Sequence, residues 1–239
     1  NGNEINNISE ISYLKNPDEL RRANNKRFPV FYGAFSKDAE DNPLFTNYFE
    51  VVEILRNNAN IDYPPDNKPI KLTTGVWVVT EDMPVISIVF NDELISKSKN
   101  FIGLQDLYKS FNKNRPKDIK IMKFISDEFA RTDINSSNDY KISAAFSEYL
   151  FKENKYKIDA IIYPSARYAG NGFNIAIKPN YLKKYLKPIK VIILNLYLEN
   201  QIIKTEFLKV SDIEEKSGNL SFVAYNKKHG VLRDDLINF

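Results

Sequence analysis

Cysteine is missing from the chain altogether, and histidine occurs once, as His229. The first absence excludes disulfides, thiolate metal sites and cysteine nucleophiles. The second excludes a multi-histidine metal centre and argues against a Ser-His-Asp triad; His229 itself reads as a turn residue before Gly230. No metal cofactor is expected. Long apolar runs are also lacking: the longest, "VIILNLYL" at 191–198, is strand-sized, far short of the ~20 residues of a membrane span. No membrane partner is expected. Charge of one sign is not in excess, since 34 basic and 31 acidic residues are intermixed and leave a net charge of only +3. The basic runs "KNRPKDIK" (113–120) and "KKH" (227–229) are short, so a solvated surface is the reading and no nucleic-acid partner is expected. There is no internal repeat, no low-complexity linker, no GxGxxG and no P-loop. Residue 1 is asparagine and not methionine, so the expected cytoplasmic location leaves export open.

What is there is a substantial apolar complement. The chain has 239 residues, 43% hydrophobic and 13% aromatic, enough for one domain over 1–239 with a sizeable core. Asn16-Pro17 predicts a short helix to Asn25, and "PVFYGAF" (29–35) a strand. Thr46–Arg56 reads as a helix with Phe45, Phe49 and Val52 on one face. Strands follow at "LTTGVWVVT" and "VISIVF", with Trp77 in the core and a turn at Glu81 to Pro84. "FIGLQDLYKSF", "DIKIMKFISDEFART" and "NDYKISAAFSEYLFKEN" have helical spacing, the last with Ile142, Phe146 and Leu150 four residues apart. Strands are expected at 158–163 and 174–178, then a short helix near "PNYLKKYL", and strands at 189–199, 201–210 and "SFVAYN". The sum is an α+β fold with a mostly antiparallel sheet and surrounding helices.

The stretch "IDAIIYPSARYAGNGFNIAIKP" (158–179) ends one apolar strand at Ser165 and begins the next near Asn174. Two small polar side chains then share one rim of a sheet, with Gly170 and Gly172 allowing a tight turn and close approach between them. Read by itself, this is also an ordinary surface turn. Upstream, "RRANNKRFPVFYGAFSKDAEDNPLFTNYFEVVEIL" gathers Arg22, Tyr32, Glu50 and Glu53. Each alone fits a bland reading: a solvated helix charge, a core tyrosine with a satisfied hydroxyl, exposed helix carboxylates. Arg131 and Arg167 are candidate phosphate contacts. Asp127 and Glu128 are adjacent, so a helix points them about 100° apart and a solvated face is the better reading.

Taken together these residues resemble the RES-domain family, named for its Arg, Glu and Ser. "RANNKRFPVFYGA" matches the family's opening pattern with Arg22, Asn24 and Tyr32; "TNYFEV" supplies Thr46, Glu50 and Val51; "DAIIYPS" and "GFNIAIKP" supply Asp159, Tyr163, Ser165 and Asn174. The resemblance covers roughly residues 20–200 and leaves 201–239 as a C-terminal strand extension. Two departures stand out: a longer loop between Tyr32 and Glu50, and Ala160 where the family has glycine after Asp159. Between Glu50 and Glu53 as the functional acid, the Thr-x-x-x-Glu-Val match favours Glu50.

The resemblance implies a fold similar to ADP-ribosyltransferases and an NAD-consuming toxin, with NAD as substrate and a cognate antitoxin as partner. Such enzymes cleave the nicotinamide-ribose bond and pass ADP-ribose to water, to phosphate or to a protein. An ADP-ribosyltransferase acting on a macromolecule and a catalytically inactive, nucleotide- or partner-binding scaffold are the alternatives. Within this frame Glu50 is expected to stabilise positive charge on the ribose and Tyr32 to face the cationic nicotinamide ring. Arg22 is expected to bind the diphosphate, and Ser165, supported by Asn174, to hydrogen-bond the ribose or amide.

Overall fold

A computed structural model describes residues 5–35, 43–52, 68–91, 117–153, 157–168, 172–199 and 202–225, together with 93, 106, 108–110, 113 and 114. In chain order its strands are β1 (Phe31–Phe35), β2 (Ile70–Val79), β3 (Val85–Ser87), β4 (Ala160–Pro164), β5 (Phe173–Ile177), β6 (Leu186–Glu199), β7 (Ile202–Ile213) and β8 (Leu220–Ala224). The helices used below are α1 (Pro43–Val51), α2 (Ile119–Ala130), α3 (Lys141–Lys152) and the single turn α4 (Leu182–Tyr185). The mixed α+β composition and the dominance of antiparallel pairing agree with the sequence. The chain divides into two compact units, one within Asn1–Tyr13, Asn57–Asp82 and Leu182–Val231, the other within Leu14–Arg56 and Met83–Tyr181.

The first unit is an antiparallel sheet in the order β2-β6-β7-β8. Ile202–Ile213 and Leu220–Ala224 are therefore integral strands of this sheet. Val191, Ile192, Ile193 and Leu194 are each at most 1% exposed, which means β6 is buried on both faces there. Pro188 lies within this central strand, where a missing N–H should break the ladder. The pairing accommodates it with a bulge: Val76 faces Lys190 but Trp77 faces Pro188, and Ile189 is the extra residue. Trp77 is half-buried, not deep in the core. A Cβ on Gly75 would fall 2.8 Å from its indole Nε1, so this glycine makes room for the ring.

The second unit carries a sheet in the order β1-β5-β4-β3. β4 and β5 form an antiparallel hairpin, and β3 is parallel to β4. Parallel neighbours require a long crossover, and the chain between Ser87 and Ala160, with α2 and α3, supplies it. Every residue of β4 and β5 is buried. The core joins Ile125 and Phe129 of α2, Leu150 and Phe151 of α3, Ile161 and Tyr163 of β4, and Ala176 of β5.

Three local expectations are corrected. Pro17–Asn25 is not a helix: Arg21 and Asn24 exchange backbone hydrogen bonds of 3.0 and 3.2 Å in a tight turn. The Asn24 amide donates to the carbonyls of Glu19 and Asn25, which offers the backbone an alternative to helical bonding. α1 begins at Pro43, and its neighbourhood buries Thr46, Tyr48 and Val52, while Phe45 is 36% exposed. α3 buries Ser143, Ala144, Ser147, Leu150 and Phe151, leaving Ile142 42% exposed. Small side chains let this face pack closely. Their hydroxyls are satisfied within the helix, Ser143 Oγ donating to Tyr140 O and Ser147 Oγ to Ser143 O.

Most of the helix expected at 101–111 lies outside the described residues, as do Glu53, Gly170 and His229. Among the described residues no helix is long and apolar enough to cross a membrane.

Candidate functional site

The site is built entirely within the second unit, at the rim of β4 and β5 beneath α1. Ser165 follows the last residue of β4, and its backbone N–H donates to Gly172 O at 2.7 Å, closing the turn that leads into β5. α1 lies close against this turn: a Cβ on Gly172 would fall 1.9 Å from Thr46 Oγ1, so only glycine fits. One helical turn beyond Thr46, Phe49 stacks on Tyr168 with ring centroids 4.7 Å apart. Glu50 follows on the same side of the helix.

The Glu50 carboxylate is the point of convergence. Its Oε1 accepts from Ser165 Oγ at 2.7 Å and from Asn174 Nδ2 at 2.7 Å. Ser165 Oγ in turn accepts from the Tyr168 N–H at 3.1 Å, which fixes the direction of its own proton toward Glu50. Ser165 is fully buried and Asn174 nearly so, whereas Glu50 is half-buried. The structure thus unites three residues named from the sequence and gives Ser165 and Asn174 a shared task, holding the acid.

Sheet register defines the wall beside this acid. Tyr163 faces Asn174 across the β4–β5 pair, and Asn174 faces Ala34 on β1. One row further along, Ile161, Ala176 and Tyr32 are aligned. Directly opposed residues and residues two apart project to the same face, so Tyr32, Asn174 and Tyr163 share it with the small Ala34 and Ala176. Burial pushes the Tyr163 hydroxyl well above the ordinary tyrosine range, with Tyr32 and Glu50 adding to the shift and Arg22 opposing it.

Arg22, Asn24 and Tyr32 form a second cluster. The Tyr32 hydroxyl donates to Asn24 Oδ1 at 2.8 Å and accepts from the Ala23 N–H at 3.0 Å. Burial raises its pKa far enough to keep it protonated, against smaller opposing effects of that N–H and of Arg21 and Arg22. The Arg22 guanidinium sits at the C-terminal end of α2. Its Nη1 donates to the carbonyls of Glu128 (3.3 Å) and Phe129 (2.6 Å), and its Nη2 to Arg131 O (2.8 Å). A cation there complements the helix dipole. The guanidinium also lies 5.2 Å from the ring centroid of Tyr140. These carbonyls account for three hydrogen bonds from a group with five N–H donors.

The remaining candidates separate. Arg131 is occupied: Nε and Nη2 pair with the two carboxylate oxygens of Asp133 at 3.2 and 3.3 Å. Arg167, two residues after Ser165, makes no ion pair or hydrogen bond with the described residues. Asp127 is exposed and accepts from Asn91 Nδ2, whereas the Glu128 side chain is only 13% exposed, near Arg131, and does not belong to a solvated face. Asp159 pairs with Lys178 at the far end of β4 from Ser165, where it serves the sheet and not the site. Among the described residues no group of three or more His, Asp or Glu could hold a metal ion.

Sequence reasoning missed Tyr140, which carries no local signal because Arg22 reaches it from far along the chain. The placement of Tyr163 was within reach of the sequence: it lies near the end of an apolar strand, two residues before Ser165. No family model, no curated protein and no solved structure matches this chain, so the function is argued from the site's own geometry.

Proposed function

We propose that the chain is an NAD-consuming enzyme of the RES type, cleaving the nicotinamide-ribose bond on an ADP-ribosyltransferase-like fold. The observation that carries this reading is the Glu50 carboxylate fixed through Oε1 by Ser165 Oγ and Asn174 Nδ2. In the bond-breaking step the C–N electron pair moves onto the pyridinium nitrogen. Nicotinamide leaves neutral, and no general acid is required, in keeping with a chain that has one histidine. The ribose becomes oxocarbenium-like, and an oriented carboxylate beside it stabilises the developing positive charge. Water or phosphate then bonds to the ribose carbon, and water loses a proton as it does so.

The second cluster suits the rest of the substrate. The Tyr32 ring, anchored through its hydroxyl, offers a face to the cationic nicotinamide, an interaction of ~0.5–2 kcal/mol. The N–H groups of Arg22 left over from the α2 carbonyls suit the diphosphate, and Arg167 beside Ser165 is a further cation within the same rim. In this reading the protein is a toxin whose partner is a cognate antitoxin.

The test is nicotinamide release from NAD by purified protein, with and without phosphate, beside Glu50→Gln. Wild-type release, reduced at least ~10²-fold in the variant with its melting temperature retained, is the expected result. Stimulation by phosphate would identify a phosphorylase and its absence a hydrolase. Folded wild-type protein that releases no nicotinamide would overturn the proposal.

A further inference from the structure

We infer that the Tyr163 hydroxyl is a substrate contact, a hydrogen-bond donor to the nicotinamide-ribose half of NAD beside Glu50. This rests on the function proposed above and extends it to a residue outside the Arg, Tyr, Glu, Ser and Asn already assigned.

Three observations converge on it. Tyr163 is only 3% exposed, yet its hydroxyl makes no hydrogen bond with the described residues; its ring contact is with Phe129, centroids 5.2 Å apart. A hydroxyl buried without a partner is destabilising, and a phenylalanine would fill the same space without that cost. Finally, Tyr163 stands opposite Asn174, a ligand of the Glu50 carboxylate, and two residues before Ser165, the other ligand. Tyr32, Glu50, Arg22 and Tyr140 are the groups whose charges act on it. A group that stays protonated serves a ligand as a donor. The ribose hydroxyls and the carboxamide oxygen are the acceptors that a substrate held against Glu50 would bring within range.

The test is Tyr163→Phe, followed by three readouts: melting temperature of the ligand-free protein, kcat/KM for nicotinamide release from NAD, and the inhibition constant of ADP. The melting temperature should be unchanged or higher, since an unpartnered polar atom is removed. kcat/KM should fall roughly 3- to 12-fold, the worth of one hydrogen bond, and ADP should inhibit as before. A lower melting temperature with unchanged kcat/KM would make the hydroxyl structural and overturn the inference. Equal weakening of NAD turnover and ADP inhibition would move the contact to the diphosphate and overturn the ribose assignment. Wild-type activity with an unaffected variant sinks this inference alone, whereas a wild type that neither binds nor cleaves NAD removes the proposed function and this inference with it.

Discussion

The two units solve the problem of burial in opposite ways. The unit of β2, β6, β7 and β8 is built mainly on three long strands, β2, β6 and β7, whose backbone groups pair with their neighbours; among its described residues only Thr74 and Ser211 are buried polar side chains. The other unit has strands of five residues or fewer and buries Arg22, Asn24, Thr46, Ser126, Ser143, Ser147, Asp159, Ser165 and Asn174. Polar groups inside a fold are destabilising unless every partner is present. Their concentration in one unit means that its packing depends on paired polar side chains, whereas the other unit relies on strand pairing and apolar burial.

That contrast can be broken by substitution. The largest effect is the loss of turnover at Glu50→Gln, which should leave stability nearly untouched. Next is Gly172→Ala. With a Cβ 1.9 Å from Thr46 Oγ1, α1 must shift away from the turn. Unfolding in urea should show about 1–3 kcal/mol of destabilisation together with reduced nicotinamide release. Thr46→Ala in the same chain should recover part of both, because the closest clash is with the hydroxyl, and purely additive losses would show that α1 is not seated as described. Ser211→Ala is the counterpart in the other unit. Ser211 Oγ accepts from the Val191 N–H at 3.1 Å in a buried setting, and its removal should cost about 1–3 kcal/mol. Here kcat and KM should not change; altered kinetics would refute the division of labour.

The smallest effect concerns pH. Asp139 is held below the ordinary carboxylate range chiefly by the backbone N–H of Ser136, then by that of Asn135, within the turn that presents Tyr140 to Arg22. A carboxyl whose folded pKa is depressed contributes in full above its unfolded value of ~3.9 and loses that contribution as pH falls through the folded value. Urea midpoints should therefore favour the wild type over Asp139→Asn at pH 7, and the gap should narrow as pH falls below ~3.9. A constant gap would show that the ionised form is not what the turn requires.

The legibility of the two units differs for the same reason. β6 and β7 were readable because apolar strand patterns are local, and their observed limits, Leu186–Glu199 and Ile202–Ile213, lie close to those expected. The inner face of α3 was misread because its serines look solvent-facing until Ser147 Oγ is found bonded to Ser143 O within the helix. The candidate acid was readable as a residue type in a pattern, but its geometry was not. Nothing near Glu50 in the sequence announces Ser165 and Asn174 as its ligands, nor does anything near Arg22 announce the carbonyls of α2. Such contacts are properties of the closed fold and not of any segment.

The spacing of that clasp has a consequence for synthesis. Glu50 and Asn174 are 124 residues apart along the chain. At ~5–20 residues per second, a ribosome needs roughly 6–25 s after making the acid to deliver its second donor. Throughout that interval the nascent chain holds the carboxylate without the arrangement that orients it. Contacts of such long range are also the slow ones to form during folding. The clasp around Glu50 is therefore completed late in synthesis, only once β5 has been made.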